Sequence, residues 1–201
     1  MATATDLEAP IAAEPIEAAP PEGLYEVVDG QIVEKSPMGA YEVEIASILC
    51  QHMGPYAVEN RLGRVVVEML FQLKPGRKLR RRPDVAFLSA ERWPLNRRAP
   101  KAEAWDVIPD LVVEVISPSD NANEVVERLE QYFEVGVRRA WVVYPSVAKV
   151  YDYESTTRVQ ILSAVEDLDG GAVLPGFRLP LTTLFEADEK PADEPAPETP
   201  Q

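Results

Sequence analysis

Hydrophobic positions between residues 24 and 163 follow two different periods. Short apolar runs, alternating or continuous, are typical of strands and occur in LYEVVDGQIVEK, GRVVVEMLFQLK, DVAFLS, LVVEVIS, RRAWVVY, KVYDYES and TRVQILS. Two longer segments, Val43 to Met53 and Val125 to Phe133, have apolar residues at helical spacing. The order hairpin, helix, strands, helix, strands predicts an α/β or α+β fold with a mixed central β-sheet covered by helices.

Turn and breaker residues refine this assignment. Asp29-Gly30 between two alternating runs predicts an N-terminal β-hairpin. Pro55 is expected to end the first helix, and Gly136 is placed to end the second. GRVVVEMLFQLK reads as one strand closed by a Pro-Gly turn. The strand–helix–strand crossover over residues 110–144 predicts a parallel pair within the mixed sheet.

Composition divides the 201 residues into a body and two ends. Residues 1–22 and 187–201 are rich in Ala, Pro and Glu, and they carry −5 and −4 of the formal net charge of −14. Such segments cannot bury enough apolar surface to offset their chain entropy, so we expect both to be disordered. The body, 23–186, is long enough for one domain with a core. No apolar run reaches membrane-helix length, and the N-terminus lacks signal-peptide features, so we expect a cytoplasmic protein.

Charge and residue usage limit the kinds of binding site and metal site that the chain can form. The body is mildly acidic, but RKLRRR at 77–82 places five positive charges in six residues. Such a run can bind a polyanion locally, or it can simply form a solvated loop. His52 is the only histidine and Cys50 the only cysteine, which excludes a histidine-rich zinc site, a paired-cysteine metal motif and an internal disulfide.

Glu114 is an acidic residue within a segment that is otherwise apolar. Five of the six residues from Leu111 to Ile116 are aliphatic, the composition of a strand buried on both faces, yet Glu114 lies among them. An ionised carboxylate there costs several kcal/mol unless a charge or hydrogen bond meets it. Asp84 begins a second apolar strand. A hard cation such as Mg²⁺ between the two carboxylates would supply the missing positive charge.

An ion pair is the alternative partner for Glu114. Arg82 or Arg128 could meet the carboxylate without any metal. On the second helix Arg128 lies at the flank of the apolar stripe, so a helix packed on the Glu114 strand would direct it toward the carboxylates. Arg128 could equally be a surface arginine whose stem covers apolar surface.

The segments RRPDVAFLSAERWP, EAWDVIPDLVVEVISPSD, ERLEQYFEVGVRRAWVVYP and VYDYES together resemble a known family, the Uma-type restriction endonucleases of the PD-(D/E)XK nuclease superfamily. The resemblance runs from about Leu24 to about Phe185. It implies the restriction-endonuclease-like core, a mixed sheet flanked by helices. It also implies Mg²⁺-dependent hydrolysis of phosphodiester bonds, with Mn²⁺ as a substitute metal.

The resemblance carries over residue by residue. The Pro-Asp of the superfamily matches Pro83-Asp84, and its second acid matches Glu114. The superfamily lysine would fall at position 116, where this chain has isoleucine. In the Uma-type family the lysine instead lies on the following helix, at the position of Arg128 here. Lysine can release a proton when its pKa is depressed, whereas arginine stays protonated, so the change bears directly on activity.

A third carboxylate often helps to hold metal in the superfamily. Glu68, which repeats the pattern of an acid within an apolar strand, is the first choice, and Glu44 on the first helix is the alternative. Either could also be a solvent-facing acid. The residues predicted to contact phosphates are Lys74, Arg80, Arg81 and Arg82.

Three functions fit these observations. The first is a Mg²⁺-dependent DNA endonuclease that uses Asp84, Glu114 and Arg128, and a homodimer would suit cleavage of both strands. The second is a nuclease-like fold that has lost catalysis and binds DNA or a protein partner. The third is a metal-dependent phosphodiesterase that acts on RNA or a small nucleotide.

Overall fold

A computed structural model describes residues 21–74 and 78–185. The ends predicted to be disordered, 1–22 and 187–201, therefore lie outside the described residues, apart from residues 21 and 22. The Pro-Gly turn predicted after GRVVVEMLFQLK also lies outside them. The strands and helices are β1 Tyr25–Val28, β2 Gln31–Glu34, α1 Ala40–Glu59, β3 Gly63–Val67, β4 Phe71–Lys74, β5 Leu79–Arg81, β6 Val85–Ser89, β7 Leu111–Val115, α2 Ala122–Val135, β8 Arg139–Tyr144, β9 Lys149–Ser155, β10 Arg158–Ser163, β11 Asp167–Asp169, β12 Arg178–Pro180 and α3 Thr182–Phe185.

The architecture is mixed, with strands in three sheets. A six-stranded sheet of order β10-β9-β8-β7-β6-β3 forms the centre, and its β7–β8 pair is parallel while the other pairs are antiparallel. A four-stranded sheet of order β2-β1-β5-β4 contains the N-terminal hairpin, and β11 and β12 form a short ribbon. The predicted hairpin, the parallel pair and the helix-covered mixed sheet are all confirmed.

Hydrophobic packing divides along the two faces of the central sheet. On one face α1 contributes Ile45, Leu49 and Met53, which join a core that includes Val113 and Trp141. The opposite face packs α2 against the sheet through the residues that form its buried stripe, Val125, Leu129 and Tyr132. Alternate residues of β7 thus enter different cores, which directs the side chain of Glu114 toward α2.

The two ends of α2 form as the sequence predicts. Asn121 caps its start by accepting a hydrogen bond from the Asn123 N–H at 2.9 Å. Gly136 ends it in the left-handed conformation, with φ of 99°. This region strongly favours glycine because a Cβ would clash there. The register of α2, and hence the direction of Arg128, is fixed by these caps and by the buried stripe.

Two predictions about elements are wrong. Helix α1 does not end at Pro55 but continues to Glu59, because Met53 and Ala57 are buried on both sides of the proline, and Gly54 has no Cβ to crowd its ring. The segment GRVVVEMLFQLK is not one strand but two, β3 and β4, in different sheets. The chain turns between them at Glu68, which has φ of 45°.

Candidate active site

Glu114 lies at the centre of the site and is 3% exposed. Its strand is bordered by β6 and β8, and α2 covers its face of the sheet. Arg128 Nη1 donates to Glu114 Oε2 at 2.8 Å, and the Tyr132 hydroxyl donates to Oε1 at 2.6 Å. Of the two arginines considered for an ion pair, Arg128 is therefore the one that contacts Glu114.

Asp84 lies just before β6 and is equally buried. Its Oδ2 accepts a hydrogen bond from the Val115 backbone N–H at 2.7 Å, which places the carboxyl beside Glu114 on the neighbouring strand. Its Oδ1 is 2.7 Å from the Lys35 Nζ, which also donates to the Arg82 carbonyl at 2.7 Å. The structure thus brings together Asp84, Glu114 and Arg128 as the sequence predicts.

Glu26 on β1 is a third buried acid, which the sequence analysis missed. Arg81 Nη1 donates to its Oε2 at 2.6 Å, and the Arg82 backbone N–H donates to its Oε1 at 2.7 Å. A signal was present in the sequence, because Glu26 interrupts the apolar run of β1 just as Glu114 interrupts that of β7. Lys35 was missed too, and nothing in its local sequence distinguishes it.

Burial and charge oppose each other in this network. Burial raises the pKa of Glu114, and the positive charges of Arg128 and Lys35 reduce the increase without removing it. Burial alone would lower the pKa of Lys35, but Glu114 and Asp84 outweigh it and leave this pKa raised. The Glu114 carboxylate likewise raises the pKa of Arg128. Each cation therefore stays charged because the acids surround it.

These groups open into a cleft of about 690 Å³ between the β1–β2 hairpin, the start of α1, the loop after β7 and α2. Its lining includes Lys35, Arg81, Arg128 and eight carboxylates, namely Glu26, Glu34, Glu42, Asp84, Glu114, Asp120, Glu124 and Glu127. Asp84 and Glu114 thus have access to a polar space that is large enough for part of a polymer backbone.

The chemistry of the donors suits a hard cation. Mg²⁺ is commonly held by one or two carboxylates together with waters and phosphate oxygens, and Asp84 and Glu114 provide such a pair. Among the described residues, no group of three or more His, Cys, Asp and Glu side chains is arranged to hold a metal ion. All four oxygens of the pair already accept a hydrogen bond from a protein donor. A metal bound to these oxygens would therefore lie beside protein donors, two of which, Lys35 and Arg128, are positively charged.

The two other predicted metal ligands lie elsewhere. Glu68 is at the bend after β3, so the prediction of an acid inside a strand is wrong for it, and neither Glu68 nor Glu44 belongs to the cleft lining. Glu68 forms hydrogen bonds through its backbone instead. Its carbonyl accepts from Arg82 Nη1 at 2.6 Å, and its N–H donates to the Asp84 carbonyl at 3.0 Å. Glu44 is exposed on α1.

The predicted phosphate-contacting residues already contact protein groups. Arg80 Nε donates to Gln72 Oε1 at 2.6 Å, Arg81 binds Glu26, and Lys74 pairs with Glu134. Arg82 donates to backbone carbonyls. In the structure these side chains bind neighbouring strands, the bend at Glu68 or helix α2, and only Arg81 of the four lines the cleft. Contact with phosphates remains a prediction for this group.

Comparisons with known proteins support the fold and identify the family. A solved structure described as a "putative nuclease belonging to DUF820", from Anabaena variabilis, superposes with a TM-score of 0.72 at 17% sequence identity. The match covers 85% of this chain and 94% of that one, so the two share a fold. No curated protein matches, and no helix in the described part of the chain is long and apolar enough to span a membrane.

The model of the Uma2 family, described as "Putative restriction endonuclease", matches residues 13–182. This range includes every residue of the buried network, and it confirms the resemblance that the strand and helix motifs indicate. The mixed sheet flanked by helices is the fold expected of that family. The chain belongs to the Uma2 family of restriction-endonuclease-like proteins.

Proposed function

We propose that the protein is a divalent-metal-dependent nuclease that hydrolyses phosphodiester bonds of DNA. The observation that carries the proposal is the pairing of two buried carboxylates, Asp84 and Glu114, at the wall of an open polar cleft. A protein that needed only a stable core would gain nothing from burying these acids, because apolar residues of similar size are often at least as stabilising. Membership of the Uma2 family supports the same activity.

Asp84 and Glu114 would hold the cation, with Mg²⁺ as the proposed metal and Mn²⁺ as its substitute. A divalent cation supplies Lewis-acid polarisation of a phosphate oxygen. Tyr132 fixes one oxygen of Glu114, and the Val115 N–H fixes one oxygen of Asp84, so both carboxylates are preoriented. Preorientation matters because small misplacements of catalytic groups cost large factors in rate.

Arg128 would stabilise negative charge on the phosphate. Its Nη1 contacts Glu114, and its side chain, which is 16% exposed, also lines the cleft. An anionic oxygen in the cleft would form a charge-assisted hydrogen bond with the accessible part of the guanidinium. Because arginine stays protonated, Arg128 can neutralise and position but cannot act as a base.

Cleavage of supercoiled plasmid tests the proposal. Wild-type protein should nick DNA with Mg²⁺ or Mn²⁺ and not with a chelator, and Glu114→Gln or Asp84→Asn should lower the rate at least about 100-fold. Glu154→Gln, which changes an exposed acid on β9, is the matched control and should leave the rate unchanged. Metal-dependent nicking that survives in both Glu114→Gln and Asp84→Asn would overturn the assignment of the site.

A second candidate function is a nuclease fold that binds DNA or a partner without cutting it. Arginine at the family's lysine position favours it, as do the protein donors already bound to all four oxygens of Asp84 and Glu114. The plasmid assay separates the two when Arg128→Lys is included. A silent wild type beside an active Arg128→Lys would show an intact site with the wrong cation, and silence from both would favour the binding module.

A further inference from the structure

We propose that Lys35 is an exchangeable counter-ion of Asp84, whose ammonium contacts the oxygen available to a metal and is displaced when a divalent cation binds. The inference rests on the proposed function, since it concerns the same pair of carboxylates. It assigns a role to a hairpin residue outside the nuclease motifs.

The two oxygens of Asp84 are held very differently. Oδ2 accepts from the Val115 N–H, a backbone donor fixed within the central sheet. Oδ1 contacts the Lys35 Nζ, which stands at the end of a flexible four-carbon chain. The Lys35 side chain is 12% exposed and belongs to the cleft lining. Oδ1 is therefore the oxygen that can be released to the cleft without unfolding the sheet.

Simultaneous occupancy is unfavourable. The ammonium lies 2.7 Å from Oδ1, and Mg²⁺ would require about 2.1 Å to the same atom, so the two cations would share one oxygen and stand within about 5 Å of each other. Their repulsion in a partly buried site exceeds that in water because the effective dielectric constant is lower. Metal binding through Oδ1 is therefore expected to displace Lys35.

The charges around Lys35 also favour its exchange for a metal ion. Three buried or nearly buried acids, Glu26, Asp84 and Glu114, face three cations, Lys35, Arg81 and Arg128. Adding a divalent cation without moving Lys35 would raise the charge of these six residues and the metal from zero to +2, whereas exchange limits it to +1 and leaves an ammonium free to contact a phosphate in the cleft. Arg81 also binds Gln131, so its guanidinium is held on two sides and is less suited to leave.

Isothermal titration calorimetry with Mn²⁺ tests the exchange in the absence of DNA. Lys35→Met keeps the length of the side chain but removes its charge, and should bind Mn²⁺ about tenfold tighter than wild type, because the competing cation is gone. Lys35→Arg keeps a cation on Asp84 and should bind no tighter than wild type. Lys149→Met removes an exposed lysine outside the cleft and should match wild type.

The outcomes separate this inference from the proposed function. Glu114→Gln identifies the site, since its Mn²⁺ binding should be lost. If Glu114→Gln loses binding but Lys35→Met binds like wild type or more weakly, Lys35 is not a competitor, while the metal site stands. If neither wild type nor Lys35→Met binds Mn²⁺, although circular dichroism shows both folded, the metal site and the exchange fail together.

Discussion

Glu114 is stabilised by two neighbours with different roles. Arg128 supplies charge and Tyr132 supplies a short neutral hydrogen bond, so both carboxylate oxygens are satisfied within a strand that is otherwise apolar. A buried carboxylate without such partners would take up a proton instead of remaining charged. The same arrangement holds Glu114 in one position, close enough to Asp84 for the charge of that carboxylate to raise the pKa of Glu114.

Removal of the Tyr132 hydroxyl would measure how much its hydrogen bond to Glu114 stabilises the fold. Burial and the Glu114 charge raise the pKa of Tyr132 well above its ordinary value, so the hydroxyl stays a donor at neutral pH. Tyr132→Phe should lower the free energy of unfolding in urea by about 1–2 kcal/mol, because one lone pair of a buried carboxylate loses its partner. Tyr153→Phe, on a half-buried ring of β9, should change it by less than about 0.5 kcal/mol. Equal effects of the two substitutions would contradict a specific role for this hydrogen bond.

The sequence predicts part of this site at the level of single residues. Asp84, Glu114 and Arg128 could be predicted because each has a local signal: an acid in or beside an apolar run, or a cation at the flank of a helical stripe. Lys35 could not be, since its contact with Asp84 joins residues 49 apart in the sequence. Such a contact depends on how the hairpin packs, which no local pattern determines.

At the level of elements, the N-terminal hairpin is part of the site and not an appendage. It brings Glu26 and Lys35 to the carboxylates of the central sheet. Within the described residues, β1 and β5 pair at Val27 and Arg80 alone. The bonds from Arg81 and Arg82 to Glu26 reinforce this short ladder. Because the backbone pairing between β1 and β5 is so short, the position of the hairpin depends on side-chain hydrogen bonds.

Acidification should therefore loosen the hairpin. Burial raises the pKa of Glu26, but Arg128, Arg81 and the Arg82 N–H outweigh it and hold the pKa below its ordinary value. A carboxyl with a depressed folded-state pKa stabilises the fold above its unfolded pKa and loses this contribution as the pH falls through the folded value. Glu26→Gln should cost about 3 kcal/mol at pH 7, because it leaves Arg81 buried without its counter-ion. The difference from wild type should shrink as the pH falls from about 5 to 3.

Thermal or urea unfolding at several pH values checks this prediction. Glu154→Gln, in an exposed ion pair on β9, serves as the control and should show a small, nearly constant difference from wild type. A Glu26→Gln penalty that stays the same from pH 7 to pH 3 would mean that shape, and not charge, is what Glu26 contributes.

Other elements show why local patterns sometimes fail. Pro55 is a strong stop signal, yet α1 continues because burial of Met53 and Ala57 outweighs the loss of one backbone hydrogen bond. The apolar run around Glu68 reads as continuous, but the chain leaves one sheet there for another. Hydrophobicity predicts that residues are buried, but not in which of two sheets.

At the scale of the whole molecule, the distribution of charge opposes binding of a polyanion. The cleft lining has eight carboxylates and three cations, and the described arginines of the basic run 77–82 are engaged with other protein groups. DNA would therefore meet a negative potential unless cations enter first. In the proposed nuclease, metal would be needed for DNA binding as well as for cleavage.

Fluorescence anisotropy with a labelled duplex can separate binding from cleavage, because Ca²⁺ often supports the first without the second. We expect binding to tighten at least about tenfold between chelator and millimolar Ca²⁺ at constant ionic strength, since each bound divalent ion cancels two of the cleft's negative charges. Asp120→Asn and Glu124→Gln, at the cleft wall but outside the buried network, should strengthen binding in chelator and so reduce the effect of Ca²⁺. Glu154→Gln, on β9 away from the cleft, should leave both affinities unchanged. Tight binding in chelator that ignores the cleft substitutions would place the DNA on another surface, because a duplex outside the cleft would not experience these carboxylates.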